Sequence, residues 1–188
     1  MKDVFFLRRP VLGMVISLVI IILGTLAMQR LPVAQYPDLV PPAVSVTAIY
    51  PATEHDIYKH LLRCSDQFIP PLSVVVNIDE YAKKIASLAD TIEVWDNNNL
   101  IGLVAIYLND RVNKRAFITN VSTDESVQGL GIAKDLLHQA FGRAIALGFK
   151  FVLLEVGKDN LRAIALYKKA GFLPSFERNG FVGMHKEL

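Results

Sequence analysis

The chain has a single cysteine, Cys64, and so cannot close an internal disulfide. Its four histidines, His55, His60, His138 and His185, are scattered, and without a Cys or His cluster at ligand spacing a structural zinc site has no support. Lone histidines are more often packed or surface groups than ligands. Cys64, in the apolar run Leu61-Leu62-Arg63-Cys64, reads as a small core residue rather than a nucleophile. No sign of charge dominates. Residues 1–53 carry Lys2, Arg8, Arg9 and Arg30 against Asp3 and Asp38, and the rest of the 20 basic and 18 acidic residues balance at sixteen each. A neutral main domain offers no electrostatic footprint for nucleic acid. What is present is a 52% hydrophobic content over 188 residues, enough for one ordinary domain with an appendage.

The appendage is N-terminal. From Pro10 to Gln29 there is no charge, and Val11 to Met28 would extend roughly 27 Å as a helix at about 1.5 Å per residue. That nearly matches a bilayer core of about 30 Å, so residues 11–29 are expected to enter a membrane as one transmembrane helix. A signal peptide competes, because Thr25-Leu26-Ala27 passes as a small-residue cleavage site, but the run exceeds the usual apolar region of such peptides. Lys2, Arg8 and Arg9 precede the helix and Arg30 alone closely follows it. The positive-inside rule then puts the N-terminus in the cytoplasm and the rest outside.

Residues 31–53 are punctuated by proline and end in an alternating strand pattern, Val44-Ser45-Val46-Thr47-Ala48-Ile49. The string Phe5-Phe6 through Arg9-Pro10, the helix, Leu31-Pro32-Val33-Ala34-Gln35-Tyr36-Pro37 and the Pro41-Pro42-Ala43-Val44 strand resemble the start of a resistance-nodulation-division efflux pump inner-membrane subunit. The resemblance covers about the first 53 residues. It implies membrane insertion and no transport residue, because that family's proton relay and substrate channel have no counterpart here.

After residue 54 the pattern changes to alternating helices and strands. His55 to Arg63 and Ile78 to Ala89 read as helices joined by a loop at Phe68-Ile69-Pro70-Pro71-Leu72. Thr91 to Asp96, Ile101 to Leu108 and Arg115 to Ser122 read as strands, with Asn97-Asn98-Asn99 as a tight turn. Gly131 to Leu147 carries Ile132, Ala133, Leu136, Leu137, Ala140, Phe141, Ala144 and Ile145 in one helical stripe. Phe149 to Val156 reads as a buried strand and Asn160 to Ala170 as a short helix closed by Gly171. Two strands around Phe172 to Arg178 and Phe181 to Lys186 end the chain. The expectation is an α/β protein with a mixed central sheet flanked by helices, divided as 1–53 and 54–188, or with the boundary as early as residue 43 if Val44 to Ile49 supplies the first strand.

The chemical centre is the turn into the long helix. Gly129 and Gly131 permit close backbone approach, and successive amide N–H groups at a helix start form an anion site. Gln128-x-x-Gly131-x-Ala133 resembles the acetyl-coenzyme A signature of the GNAT N-acetyltransferase superfamily. Asn160-x-x-Ala163-x-x-Leu166-Tyr167-x-x-x-Gly171-Phe172 resembles its second signature.

That resemblance implies a GNAT-like fold, acetyl-CoA as co-substrate with no metal, and an amine-bearing acceptor. The amides of Gln128, Gly129, Leu130, Gly131, Ile132 and Ala133 would hold the pyrophosphate. The strand carrying Asn120 and Val121 would splay from the one carrying Glu155 and Val156, freeing main-chain groups for the pantetheine arm, and an amide near Val121 would stabilise the oxyanion. Tyr167 would protonate the departing thiolate, a transfer that is uphill in water because a thiol's pKa is about 8.5 and a phenol's about 10. Its other reading is a packed aromatic. Asn160 either bonds the pantetheine or caps the last helix. Among the carboxylates Asp124, Glu125 and Glu155, Glu155 is taken as the catalytic base candidate. Phe68, Tyr81, Arg178 and Phe181 are candidates for acceptor specificity.

The expected activity is transfer of acetyl from acetyl-CoA to a primary amine by direct attack on the thioester, and a homodimer is allowed. The alternatives are a membrane-anchored coenzyme-binding protein without turnover, and a pump fragment joined to an acetyltransferase. Acetyl-CoA places the catalytic domain on the cytoplasmic side, against the positive-inside bias.

Overall fold

The computed structural model describes Pro10–Arg30 and residues 51–188. The chain divides into two units, Met1–Ala43 and Val44–Leu188. In the first, Pro10–Arg30 forms helix α1, with proline in the first turn where its missing N–H is no loss. Thr25 Oγ1 bonds back to the carbonyls of Ile21 and Ile22 at 3.1 and 2.9 Å, so its hydroxyl is satisfied within the helix. Among the described residues no helix is long and apolar enough to cross a membrane; the expected spanning segment is established as a helix only. The expected Val44 to Ile49 strand lies outside the described residues.

In the second unit, helix α2 (Glu54–Cys64) starts at a reciprocal cap. Thr53 Oγ1 accepts from the Asp56 amide, and the Asp56 carboxylate accepts from the Thr53 amide at 3.0 Å. Ile57, His60, Leu61 and Cys64 recur at helical spacing on its buried face. The connection that the sequence assigns to a loop contains a 3-10 turn, Ser65–Gln67, and a short helix α3, Leu72–Val75. Asn77 Oδ1 caps helix α4 (Ile78–Leu88) by accepting from the amides of Asp79 and Glu80.

Strands β1 (Asp90–Asp96) and β2 (Asn99–Asp110) are joined by Asn97 and Asn98, both at positive φ. Asn99 therefore belongs to the strand and pairs with Asp96, rather than to the turn. β3 (Arg115–Thr123), helix α5 (Ile132–Ala146), β4 (Phe151–Gly157), helix α6 (Leu161–Lys169), β5 (Leu173–Arg178) and β6 (Phe181–Glu187) follow. The sheet order is β1-β2-β3-β4-β6-β5, with β3 and β4 parallel and the other pairs antiparallel.

β2 is buried on both faces. Leu103 and Ala105 point to a core with Ile57, Leu61, Ala82 and Ile85 of α2 and α4. Val104 and Ile106 point to the other core, with Leu136, Leu137, Ala140 and Phe141 of α5 and Tyr167 of α6. Ile145, expected in the apolar stripe of α5, is 56% exposed because it lies past the sheet edge of that stripe.

The decisive irregularity is a bulge in β3. Ala105 pairs with Asn120 and Ile106 with Ile118, leaving Thr119 as the extra residue. One added residue reverses the alternation. Ala116 and Ile118 face the α5 core, whereas Asn120 and Ser122 are buried toward His60 and α2. Tyr81 of α4 donates its hydroxyl hydrogen to the Thr119 carbonyl at 2.6 Å, satisfying main chain that the bulge releases from the ladder.

Candidate functional site

Parallel pairing of β3 with β4 runs from Arg115–Phe151 to Ile118–Leu154 and stops there. β3 continues to Thr123 paired with β2 alone, and β4 continues to Gly157 paired with β6 alone. The two central strands thus open immediately after the bulge, at the level of Asn120, Val121 and Glu155. Main-chain groups on the inner sides of this opening have no partner strand.

The turn beyond β3 lies at the open end. Gly129 and Gly131 have φ of +83° and +87°, and a Cβ on either would meet nothing within 4 Å. Glycine is required there by backbone conformation, not by crowding. Gly131 is the N-cap of α5 and has no side chain to satisfy the helix amides. The backbone N–H groups of residues 129–133 donate to no described residue. Five successive free donors at the positive end of a helix dipole are suited to an anion with several oxygens.

Gln128 braces this turn. Its Nε2 donates to Gln67 Oε1 at 2.6 Å and its Oε1 accepts from Arg162 Nη1, tying the turn to the 3-10 turn that follows α2 and to the start of α6. Arg162 escaped the sequence reading. The available signal was a cation in the first turn of a helix, where the dipole disfavours it unless an anion is near.

Asn160 Oδ1 accepts from the Ala163 amide at 3.0 Å, so of its two expected roles the cap is the one made within the chain. Tyr167 is buried with its ring edge 5.9 Å from Phe172, and its hydroxyl bonds to no described residue. Burial, with a smaller contribution from Tyr81, raises its pKa well above the ordinary phenol value, so it keeps its proton. Val121 is half-buried against the α5 core. Asn120 Oδ1 lies 2.7 Å from Ser122 Oγ, and Nδ2 is buried without a described partner. Its side chain is directed to the α2 side of the sheet, so only its main chain borders the opening. Glu155 is exposed and its carboxylate bonds to no described residue.

The remaining candidates separate cleanly. Asp124, whose partial burial acts in the opposite direction, is held below the usual carboxylate range by Arg63 at 3.1 Å and by Ser126. It is a paired structural charge rather than a free base. Burial pushes the Cys64 thiol up to about 12 and lowers His60 to about 4. Neither is a nucleophile or base at neutral pH. Phe68 packs against the α2 and α4 core, and Tyr81 serves the bulge. Arg178 and Phe181 flank the β5–β6 turn and pair with one another.

Residues 55–172 match the Acetyltransferase (GNAT) family, and the chain belongs to it. It is an acyltransferase of the GNAT N-acetyltransferase type. The fold is similar to that of the ribosomal-protein-S18-alanine N-acetyltransferase from Escherichia coli, at 19% identity over 71% of this chain and 86% of that one, with a TM-score of 0.58. It is equally similar to the PaiA N-acetyltransferase from Thermoplasma acidophilum in complex with coenzyme A, at 14% identity over 73% and 96% of the two chains, TM-score 0.58. Residues 3–60 match the AcrB/AcrD/AcrF family. Over 50 residues, 27% of this chain, the sequence is 50% identical to the multidrug export protein AcrF of Escherichia coli, of which it spans only 5%.

Proposed function

We propose that the chain transfers the acetyl group of acetyl-CoA to a primary amine by direct attack of the amine on the thioester. The observation that carries this is the juxtaposition of five unpaired amides at residues 129–133 with the opening between β3 and β4. A diphosphate fits the amides, and Arg162, held at the turn by Gln128, adds a positive charge beside it. An extended amide-bearing arm fits the unpaired edges of β3 and β4, with Asn120 contributing main chain only. Bound there, acetyl-CoA supplies an activated acyl group. An amide at Val121 polarises its carbonyl, Tyr167 holds a proton for the sulfur, and Glu155 accepts a proton from the amine.

Calorimetric titration of coenzyme A into the full-length chain tests the binding half, and thiol release across an amine panel tests turnover. Binding without turnover on any amine favours a coenzyme-binding protein instead. Absence of binding removes both readings.

We also propose the earlier of the two expected boundaries, near residue 43, because Ala52 packs in the core with Ile57 and Leu61 and donates its amide to Glu93 of β1, with residues 11–29 inserted in a membrane. Val11, Met14, Leu18, Ile20, Ile21 and Leu23 are all exposed on α1, and a helix apolar on every side is stable only when something apolar surrounds it. The acetyl-CoA requirement puts the catalytic unit on the cytoplasmic side, against the charge bias around α1. Protease digestion of intact and opened cells separates the two orientations, and intact mass tests whether residues 1–53 are retained.

A further inference from the structure

On the face of the sheet that carries α2 and α4, those helices pack mainly over β1 and β2, while the strands beyond are left open. There, Phe117, Leu153 and Phe176 wall a groove of about 370 Å³, with Arg115 and Glu155 also lining it. The strand register orders these residues. Arg115 stands opposite Phe151, Phe117 opposite Leu153, and Glu155 opposite Gly183, which itself pairs with Phe176. Phe176 lies across β6 because Gly183 has no side chain; a Cβ there would come 2.3 Å from the ring. The groove thus runs along β4 and reaches the opening between β3 and β4 at Glu155. Two residues further, the Ile69 carbonyl crosses so close to Gly157 that a Cβ would lie 1.9 Å from it, which bounds that end.

The carboxylate and the guanidinium are placed at the extremes, and between them His185, opposite Leu153, has its Nδ1 2.6 Å from Ser175 Oγ. The side chains of Glu155 and Arg115 bond to no described residue. Arg115 is opposite Phe151, four residues before Glu155, so the two ends are separated by about 13 Å at about 3.3 Å per residue. We infer that this groove holds the acceptor, and that the acceptor is a small primary amine with an apolar, aryl-bearing body, its ammonium at Glu155. The walls favour the apolar body by burial. Arg115 at the far end repels a second cationic group, so polyamines and aminoglycosides are disfavoured by charge as well as by desolvation.

This rests on the acetyltransferase reading. In the reaction Glu155 takes one proton from the ammonium and passes it to solvent. The nitrogen–carbonyl bond forms as the carbon–sulfur bond breaks, Tyr167 protonates the sulfur, and the second nitrogen proton restores Tyr167, leaving amide and thiol.

The test uses the full-length chain with acetyl-CoA and either phenethylamine or spermidine. The expected kcat/KM for phenethylamine exceeds that for spermidine by about tenfold or more. Leu153→Asp should raise the phenethylamine KM by about tenfold with the coenzyme A Kd unchanged, and Arg115→Glu should narrow the preference over spermidine. Equal or better use of spermidine, or a KM indifferent to Leu153→Asp, overturns the inference while leaving acetyl transfer standing. If coenzyme A does not bind at all, the acetyltransferase reading fails separately. Titration of phenethylamine alone then decides the groove: binding lost in Leu153→Asp supports it, and no binding overturns it.

Discussion

Two helices leave the central strands side by side, and their starts are built in opposite ways. α6 follows β4 and is closed upon itself, with Asn160 Oδ1 on the Ala163 amide and the Asn160 carbonyl on the Ile164 amide. α5 follows β3 through Gly129 and Gly131 and leaves the amides of residues 129–133 unsatisfied within the described chain. Unpaired helix amides find side chains, water or ligands. A chain that caps one helix and exposes the neighbouring one has made the second available to an external anion. The capped helix serves another purpose: it is a stiff mount for Tyr167.

The contrast breaks most visibly at Gly131. Gly131→Glu forces an L-residue to a φ of +87°, at a cost of about 1–2 kcal/mol, and puts a carboxylate where the diphosphate should sit. Calorimetry on the folded variant should show coenzyme A affinity reduced by about 100-fold or more, which corresponds to about 2.7 kcal/mol. Retained affinity would mean that the open amides do not bind the coenzyme. The next largest effect belongs to the mount. Tyr167→Phe keeps the packed ring and removes only the hydroxyl, so kcat should fall by roughly 100-fold while the coenzyme A Kd holds. An unchanged kcat returns Tyr167 to its reading as a packed aromatic.

How far this was legible differs between the two starts. The glycine pair and the apolar stripe of α5 are local patterns, and the sequence carries them openly. Asn160 was ambiguous because a cap and a ligand contact need the same short amide side chain; only the 3.0 Å bond to Ala163 separates them. The bulge at Thr119 was hidden, since nothing in Phe117-Ile118-Thr119-Asn120-Val121 marks which residue is left out of the ladder. That hidden residue turns Asn120 away from the opening. The Gln67–Gln128–Arg162 brace joins residues far apart in the chain, and neither composition nor spacing announces such a contact.

The closed side of β3 gives a pH signature. His60 is lowered to about 4, chiefly by burial, and lies 2.9 Å from both the Leu100 carbonyl and Ser122 Oγ. The unfolded chain binds this proton more readily than the folded one. Stability from neutral His60 is therefore fully present above about pH 6.5 and is lost as pH falls toward about 4, by at most a few kcal/mol. Denaturant melts from pH 7 to 4 should show the decline, and His60→Gln should flatten this segment. A slope unchanged in the variant assigns it elsewhere.

The smallest effect sharpens the opening contrast best, because it tests the closed helix itself. Asn160→Ala removes one cap acceptor and leaves the Ala163 amide unpaired, a loss of about 1 kcal/mol in denaturant melts. The amides of residues 129–133 belong to a different helix and keep their geometry. Coenzyme A affinity should therefore fall far less than in Gly131→Glu. If the two variants lose affinity alike, with little change in melting, Asn160 is itself a coenzyme contact. The two helix starts would then act as one site rather than as a binding edge beside a structural one.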